Sequence, residues 1–195
     1  EGFQIVSGST SVTIDSTLWA SPPSALQAST LASSSYTLSS VHHAFPTAPS
    51  NSITLSVLVY PDVADYVYLP RAVLLALQFP ASDVDVYVDV SPTGIGLKSR
   101  RGSAFNSLVV QNGSPSVWLP VKKWTRLTLR IDGGAAPAVW LSFDANPSQF
   151  ASDIAVPGGS INGGMNLELG LKSVDPAPST AAWRVRMDDL VIWAN

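Results

Sequence analysis

Hydrophobic and polar residues alternate with a period of two along much of the chain. The segments 53–60, 84–90, 127–131 and 165–171 show this most clearly, with every second residue apolar. The period is typical of a β-strand that buries one face, because successive side chains of a strand point to opposite sides of the sheet. A convincing helical period is absent. The pattern predicts roughly ten to twelve strands separated by turns rich in Gly, Pro, Asn and Asp.

The last predicted strand, residues 182–193, is expected to lie inside a sheet. It begins with apolar residues alternating with Arg184 and Arg186, passes Asp188 and Asp189, and ends in four apolar residues. A run that is apolar on both faces is typical of a strand covered above and below. We therefore expect the earlier strands to leave an interior position for this one.

Many short strands without helices predict an all-β fold in which antiparallel strands form a sandwich or a barrel. No linker, composition break or internal repeat divides the sequence, so residues 1–195 are interpreted as a single domain. A chain of this length is long enough to bury a substantial hydrophobic core.

Composition narrows the range of functions. The chain is 46% hydrophobic and only 13% charged, which is roughly half the usual charged share. Its net charge is -3 and its basic residues are scattered, which argues against nucleic acid as a partner. The absence of cysteine excludes disulfides, thiolate zinc sites and a cysteine nucleophile. No apolar run approaches the ~20 residues of a membrane-spanning helix.

Four segments carry a resemblance to a known group of proteins. They are Ser-Val-Thr-Ile-Asp at 11–15, Ser-Pro-Pro-Ser-Ala-Leu-Gln-Ala at 21–28, Trp-Thr-Arg-Leu-Thr-Leu at 124–129 and Arg-Met-Asp-Asp-Leu-Val-Ile at 186–192. In these segments the chain resembles the concanavalin A-like lectin/glucanase group, particularly LamG-like and carbohydrate-binding-module-like domains. The resemblance implies a two-sheet antiparallel jelly-roll β-sandwich, secretion or cell-surface display, and carbohydrate binding. The group includes lectins, binding modules, glycanases and lyases, so the fold alone does not decide the activity.

The densest cluster of acids is Asp83, Asp85 and Asp89, which period two places on one face together with Tyr87. Neighbouring members of such a row lie about 7 Å apart, and glycoside hydrolysis uses carboxyl pairs about 5–9 Å apart. Glucanases of the resembling group carry a Glu-x-Asp row, whereas this chain has only Asp. The alternatives are a solvated strand face that discourages edge pairing, a glycan or metal contact, and catalysis.

A second pair of acids, Asp188 and Asp189, would point to opposite faces unless a bulge intervenes. In similar jelly-roll modules the corresponding acid helps to hold a structural calcium ion with oxygens of the N-terminal segment. The resemblance therefore implies a calcium site formed by Asp188 and Asp189 with Asp15 or residues 7–10, since calcium takes six to eight oxygen ligands. The alternative is that backbone N–H groups or arginine side chains satisfy these carboxylates.

Aromatic residues are the third indication of a binding site, because flat rings can stack on sugars. Trp140 is the best candidate because it is out of phase with its inward neighbours, and Tyr87, Glu168 and Lys172 could share its face. The alternative is that the loop 145–163 covers Trp140, because tryptophan is well buried on average. Other tryptophans are interpreted as packing residues near strand ends: Trp118, Trp124, Trp183 and Trp193. An alternative aromatic surface for sugar stacking would consist of Tyr60, Tyr66 and Tyr68.

Three functions remain open. We favour a non-catalytic secreted or cell-surface domain that binds a glycan or polysaccharide and holds a structural calcium ion. The second hypothesis is a structural or adhesive module without a small ligand. The third is a glycan-cleaving enzyme that uses the strand of Asp83, Asp85 and Asp89. No motif for a serine hydrolase or a phosphate-binding loop is present, and calcium is the only cofactor expected.

Overall fold

A computed structural model describes residues 2–6, 11–30, 38–46, 52–63, 71–91, 94–109, 119–143, 152–156, 161–173 and 183–194. These residues are almost entirely β-structure, as the alternation predicts. The strands are β1 (Gln4–Ile5), β2 (Val12–Asp15), β3 (Ala25–Thr30), β4 (Leu38–Phe45), β5 (Ser52–Asp62), β6 (Ala72–Phe79), β7 (Val84–Ser91), β8 (Gly94–Arg101), β9 (Ala104–Val109), β10 (Thr125–Asp132), β11 (Ala138–Phe143), β12 (Ser152–Ala155), β13 (Met165–Ser173) and β14 (Trp183–Ala194). No helix among these residues has the length and hydropathy needed to cross a membrane.

The strands form two sheets whose neighbours are antiparallel. Sheet A has the order β1-β4-β13-β6-β7-β8-β9, and sheet B has the order β12-β11-β10-β5-β14-β3-β2. Strand β14 lies between β5 and β3, which confirms that the last strand takes an interior position. Two packed antiparallel sheets make the all-β sandwich that the sequence predicts.

One hydrophobic core lies between the sheets. Every second residue of each long strand enters it, as period two requires. Sheet A contributes Leu77, Val86, Val88, Leu97 and Leu167, and sheet B contributes Leu55, Val57, Leu127, Leu129 and Leu141, all at most 1% exposed. Burying a side chain of this size stabilises the fold by about 1.5–3 kcal/mol, so the two inner faces hold the sandwich together.

Strand β14 changes register in its middle. Asp188 lies opposite Leu58 of β5, and Val191 lies opposite Ser56, so β14 has one residue more than its partner. Asp189 has a φ of 48°, which is the left-handed region. The extra residue confirms that a bulge resolves the adjacent acids, since it lets both carboxylates avoid the core.

The end of β14 differs from the expectation that both of its faces are covered. Ile192 packs against the core, but Trp193 is 50% exposed. Its interpretation as a packing residue is therefore wrong. Strand β14 has hydrogen-bonded neighbours on both sides within sheet B, but this pairing does not cover the faces of the sheet. No further layer among the described residues covers Trp193. Trp183, at the other end of the strand, is buried as expected.

Candidate functional site

A row of side chains crosses the outer face of sheet A. Cross-strand register aligns His42 of β4, Glu168 of β13, Ala76 of β6, Tyr87 of β7 and Lys98 of β8. Each of them has at least one strand neighbour in the core, so these five residues point away from it. The sequence analysis identified Glu168 and Tyr87 but could not align them, because register depends on the partner strands.

Ala76 makes a trough in this row. Its side chain is a single methyl group that is 7% exposed, and the residues paired with it on both neighbouring strands are larger. Glu168 and Tyr87 are these neighbours, and two strand spacings separate them by about 10 Å. The trough is therefore walled by a carboxylate on one side and an aromatic ring on the other. We call it the Ala76 trough.

Glu168 is held in place on its side of the trough. Its side chain is 15% exposed, and its carboxylate accepts a hydrogen bond of 2.7 Å from the Ser40 hydroxyl. The ammonium group of Lys172 lies 3.9 Å away. The carboxylate is therefore oriented and remains able to accept further hydrogen bonds, because an ionised carboxylate has about four acceptor positions.

Tyr87 forms the other wall and is half-buried. Burial raises the pKa of its phenol above the usual value, and the negative charge of Asp85 adds to the rise. Arg100 and Arg71 act in the opposite direction. The pKa remains raised, so Tyr87 stays protonated at neutral pH. It therefore offers a hydrogen-bond donor and a ring face.

Asp89 is almost completely buried at 2% exposed. Its carboxylate binds the ammonium group of Lys98, which is also buried, and the Arg71 Nε lies 3.0 Å away. Gly96 lies opposite Asp89 on β8, where any side-chain carbon would overlap the carboxylate. The glycine thus provides the space for this ion pair, and Asp89 is a structural anion rather than a free ligand.

Asp85 and Asp83 differ from each other in position. Asp85 accepts a hydrogen bond of 2.9 Å from the Arg100 Nε, and this contact raises the pKa of Arg100. Asp83 is not on β7: it follows the short 3-10 turn Pro80–Ser82, has a φ of 50° and has a side chain 70% exposed. The expectation of three acids in one strand row is therefore wrong for Asp83. The turn preceding β7 takes it off the strand.

The acids of β7 do not form the pair that glycoside hydrolysis requires. That chemistry uses two carboxyl groups on opposite sides of a sugar, one of them protonated. Asp85 and Asp89 are on the same strand, and each is bound to a cation. The geometry therefore gives no support to hydrolysis by Asp83, Asp85 and Asp89.

Trp140 lies on the other sheet. It belongs to β11 of sheet B and is half-buried opposite Arg130 of β10, whose guanidinium carbon is 5.3 Å from the ring centroid. Tyr87, Glu168 and Lys172 lie on sheet A, so the expectation that they share a face with Trp140 is wrong. Alternation gives the face of a strand but not the sheet to which it belongs. Much of the loop 145–163, and both Tyr66 and Tyr68, lie outside the described residues.

Asp188 is satisfied by backbone donors. Its Oδ2 accepts hydrogen bonds from the N–H groups of Ala20 at 2.8 Å and Ser21 at 2.6 Å. Its Oδ1 accepts another from the N–H group of Asp189 at 2.7 Å. The carboxylate thus ties the loop before β3 to the bulge of β14, which is the backbone alternative that the sequence left open.

The other two predicted calcium ligands have separate partners. Asp189 pairs with Arg126, and Asp15 pairs with Arg186 and accepts a hydrogen bond of 2.8 Å from the Thr17 N–H group. The Thr17 hydroxyl and then Arg186 hold the pKa of Asp15 well below its usual value. The described residues contain no cluster of three acidic or histidine side chains that could hold a metal. These contacts do not fit a shared ion, and residues 7–10 lie outside the described part, so calcium stays a prediction.

Arg186 has a role that was not predicted from the sequence. Its side chain is 8% exposed and binds both Asp15 and Asp62, the second at 3.1 Å. Burial acts to lower the pKa of Arg186, but the hydrogen bonds to these acids outweigh it and raise the pKa. The guanidinium also lies over the Tyr60 ring at 5.7 Å. The sequence feature that could have indicated this role is an arginine at an outward-facing position between two apolar residues.

Comparison with known proteins identifies the fold. No protein-family model and no curated protein sequence matches the chain. Among solved structures, an endo-β-1,4-glucuronan lyase from the fungus Trichoderma reesei matches 95% of this chain and 87% of its own, with a TM-score of 0.68 at 10% identity. The cellulose-induced protein Cip1 matches 99% and 90%, with a TM-score of 0.66 at 12% identity.

A third similar structure is the binding domain of botulinum neurotoxin DC in complex with SialylT. It matches 99% of this chain and 43% of its own, with a TM-score of 0.58 at 12% identity. These likenesses show that the chain has a jelly-roll β-sandwich fold, as the resemblance implied. At such low identity they establish the fold and leave the activity to the residues of the site.

Proposed function

We propose that this protein is a secreted or cell-surface jelly-roll domain that binds carbohydrate at the Ala76 trough without cleaving it. The observation that carries the proposal is the alignment of Glu168, Ala76 and Tyr87 in one cross-strand row. A sugar ring lying over the small alanine would have an aromatic ring on one side and a hydrogen-bond acceptor on the other. Specific recognition of a polar ligand depends on a few such convergent groups.

The surroundings of the trough supply further hydrogen-bond donors. The side chains of Arg71 and Arg100 are 38% and 36% exposed, and each is anchored by a more deeply buried aspartate. Anchored guanidinium groups keep free N–H donors in fixed directions, which suits hydroxyl and carboxylate groups of a glycan. Two of the similar structures also support a carbohydrate ligand. One is a glucuronan lyase, and the other is a toxin binding domain in complex with SialylT.

The charge state of the groups supports binding without cleavage. The raised pKa of Tyr87 keeps its phenol protonated, and the carboxylates of Asp85 and Asp89 are engaged by cations. General acid–base catalysis needs groups whose pKa values lie near the working pH. The trough therefore has the contacts for recognition but lacks a poised base on β7.

A glycan array tests this proposal with wild type, Tyr87→Ala, Tyr87→Phe and Trp140→Ala. We expect wild type to bind at least one glycan and Tyr87→Ala to weaken binding by about tenfold or more, equivalent to ~1.4 kcal/mol. Tyr87→Phe keeps the ring and loses only the hydroxyl, so it should retain part of the affinity. Trp140→Ala is the matched control, since it removes an aromatic ring from the other sheet.

Three results would contradict the proposal. Failure of wild type to bind any glycan would favour a structural or adhesive module. Loss of binding in Trp140→Ala with full binding in Tyr87→Ala would move the site to sheet B. Release of shorter products from a bound polysaccharide would show that the domain is an enzyme, and the binding and cleavage parts of the proposal are thereby tested separately.

A further inference from the structure

A large apolar cavity lies between the two sheets, on the side where the edge strands β1 and β2 run. Its volume is about 480 Å³. Sheet A and sheet B both contribute to its wall, so it is a gap in the sandwich rather than a groove on one outer face. The wall is mainly aliphatic: Phe3, Ile5, Val12, Ile14, Leu26, Val41, Val57, Leu169, Met187 and Leu190.

Exposure rises steadily from the floor of this cavity to its mouth. Val57 and Met187, at the floor, are 1% and 4% exposed. Ile5 on β1 and Ile14 on β2, at the mouth, are 62% and 68% exposed. These are unusually exposed positions for large aliphatic side chains. A continuous apolar surface therefore leads from solvent, between the two edge strands, into the interior.

The polar residues of the wall leave no unpaired charge in the cavity. They are Thr13, Ser24, Asp188 and Asp189. The Asp188 carboxylate is used by three backbone N–H groups, and the Asp189 carboxylate is used by Arg126. A sugar or a charged ligand would lose its hydrogen bonds to water without replacing them, which is costly. The cavity thus selects for apolar contact alone.

The size of the cavity is that of a ligand site. Small-molecule sites usually measure about 300–1,000 Å³, and the volume here falls within that range. The backbones of two packed sheets are only about 10 Å apart and side chains occupy part of that space, which favours a narrow, elongated occupant over a bulky one. A flexible hydrocarbon chain meets both conditions, and its polar end can remain in water at the mouth.

We propose that this cavity binds the aliphatic chain of an uncharged amphiphile, inserted between β1 and β2. Val57 and Met187 would contact the end of the chain, and Ile5 and Ile14 would contact the part near the polar end. The site is separate from the Ala76 trough, because it lies inside the sandwich and the trough lies on the outer face of sheet A. The proposal therefore does not depend on glycan binding.

The direct test is a series of linear alcohols, from hexanol through octanol and decanol to dodecanol, titrated into the intact protein by calorimetry. Each additional methylene should tighten binding about fourfold, because burying one contributes ~0.8 kcal/mol, until the cavity is full. The melting temperature should rise with ligand concentration in the same order. A response that is absent, unsaturable or independent of chain length overturns the proposal.

Two variants locate the site. Val12→Trp places a large side chain in the cavity from an edge strand, and it should abolish the response to dodecanol. Val121→Trp is the matched control, because Val121 is 42% exposed and does not line the cavity, and it should respond as wild type does. Leu26→Phe provides a smaller filling if Val12→Trp fails to fold, and it should weaken dodecanol binding at least tenfold.

Light scattering distinguishes the other occupants. If a second copy of the chain filled the cavity, wild type would be a dimer and Val12→Trp a monomer. That result, or equal dodecanol binding by wild type and both filled variants, would overturn the proposal. A monomer that binds dodecanol in wild type and in Tyr87→Ala, but not in the filled variants, would establish it independently of the glycan site.

Discussion

Replacing Arg186 by methionine tests how much the buried ion-pair cluster on sheet B stabilises the fold. Methionine keeps much of the side-chain length and removes the charge. Arg186 is 8% exposed and binds both Asp15 and Asp62, so its loss leaves Asp15 without a cation and leaves Asp62 only the more exposed Arg184. Breaking a buried ion pair on one side usually costs about 3–5 kcal/mol. We expect about 3 kcal/mol here, because Asp62 is 22% exposed and can be rehydrated.

Arg184→Met is the matched control for this experiment. Arg184 lies on the same strand and face and is 3.4 Å from Asp62, but its side chain is 51% exposed. Exposed ion pairs contribute about 0–1 kcal/mol. Urea denaturation followed by circular dichroism gives both free energies of unfolding, provided that the m-value is unchanged. For a chain of this size, ~3 kcal/mol corresponds to a fall in melting temperature of about 6–12 °C.

Equal losses in Arg186→Met and Arg184→Met would refute this reasoning, because burial would then make no difference to the strength of the contact. A double-mutant cycle with Asp15→Asn provides a second check. The two residues are in direct contact, so the double mutant should lose less than the sum of the single mutants. Additive losses would mean that the contact itself does not stabilise the protein.

Three further predictions concern the packing of Asp89, the titration of Asp15 and the calcium hypothesis. Gly96→Ala should destabilise the protein by about 1–3 kcal/mol in urea denaturation, because the new methyl group overlaps the Asp89 carboxylate. Gly134→Ala, where the methyl group meets nothing within 4 Å, should be nearly neutral. The pKa of Asp15 is lowered in the folded state, so its contribution to stability is present above the unfolded pKa of about 3.9 and lost as the pH falls below it. The melting temperature of wild type should therefore fall more steeply in acid than that of Asp15→Asn, and parallel curves would contradict the assignment. Finally, the calcium hypothesis predicts that excess chelator lowers the melting temperature and that added calcium restores it. An unchanged melting temperature would remove the hypothesis and leave the protein partners of Asp188, Asp189 and Asp15 as their only contacts among the described residues.

Local periodicity was enough to predict the strands and the core. Val84, Val86, Val88 and Val90 were expected to point inward from their spacing alone, and all four are at most 1% exposed. The bulge at the adjacent acids of β14 could also be predicted, because a carboxylate cannot be buried without a partner. These features depend on residues close together in the sequence, and the pattern there is unambiguous.

The composition of the site could not be predicted in the same way. Tyr87 and Trp140 both point outward, but whether they share a surface depends on which sheet each strand joins. Non-local pairing decides this, and β7 and β11 join different sheets. The partners of Asp89 and Asp188 are likewise set by cross-strand register and a distant loop. The alternation within a strand gives no information about the register or about the loop. Each acid could therefore be placed on one face of its strand but could not be assigned to a shared site.

The interior position of β14 has a consequence for how the protein is made. The ribosome produces this strand after the other thirteen strands that the structure describes, yet β3 and β5 can complete their hydrogen bonding in sheet B only through it. Until then both strands present unpaired edges, which are prone to pair with other chains. Nascent or shortened chains that stop before residue 183 should therefore need chaperone protection, and biogenesis of the domain should be completed only after synthesis of its final segment.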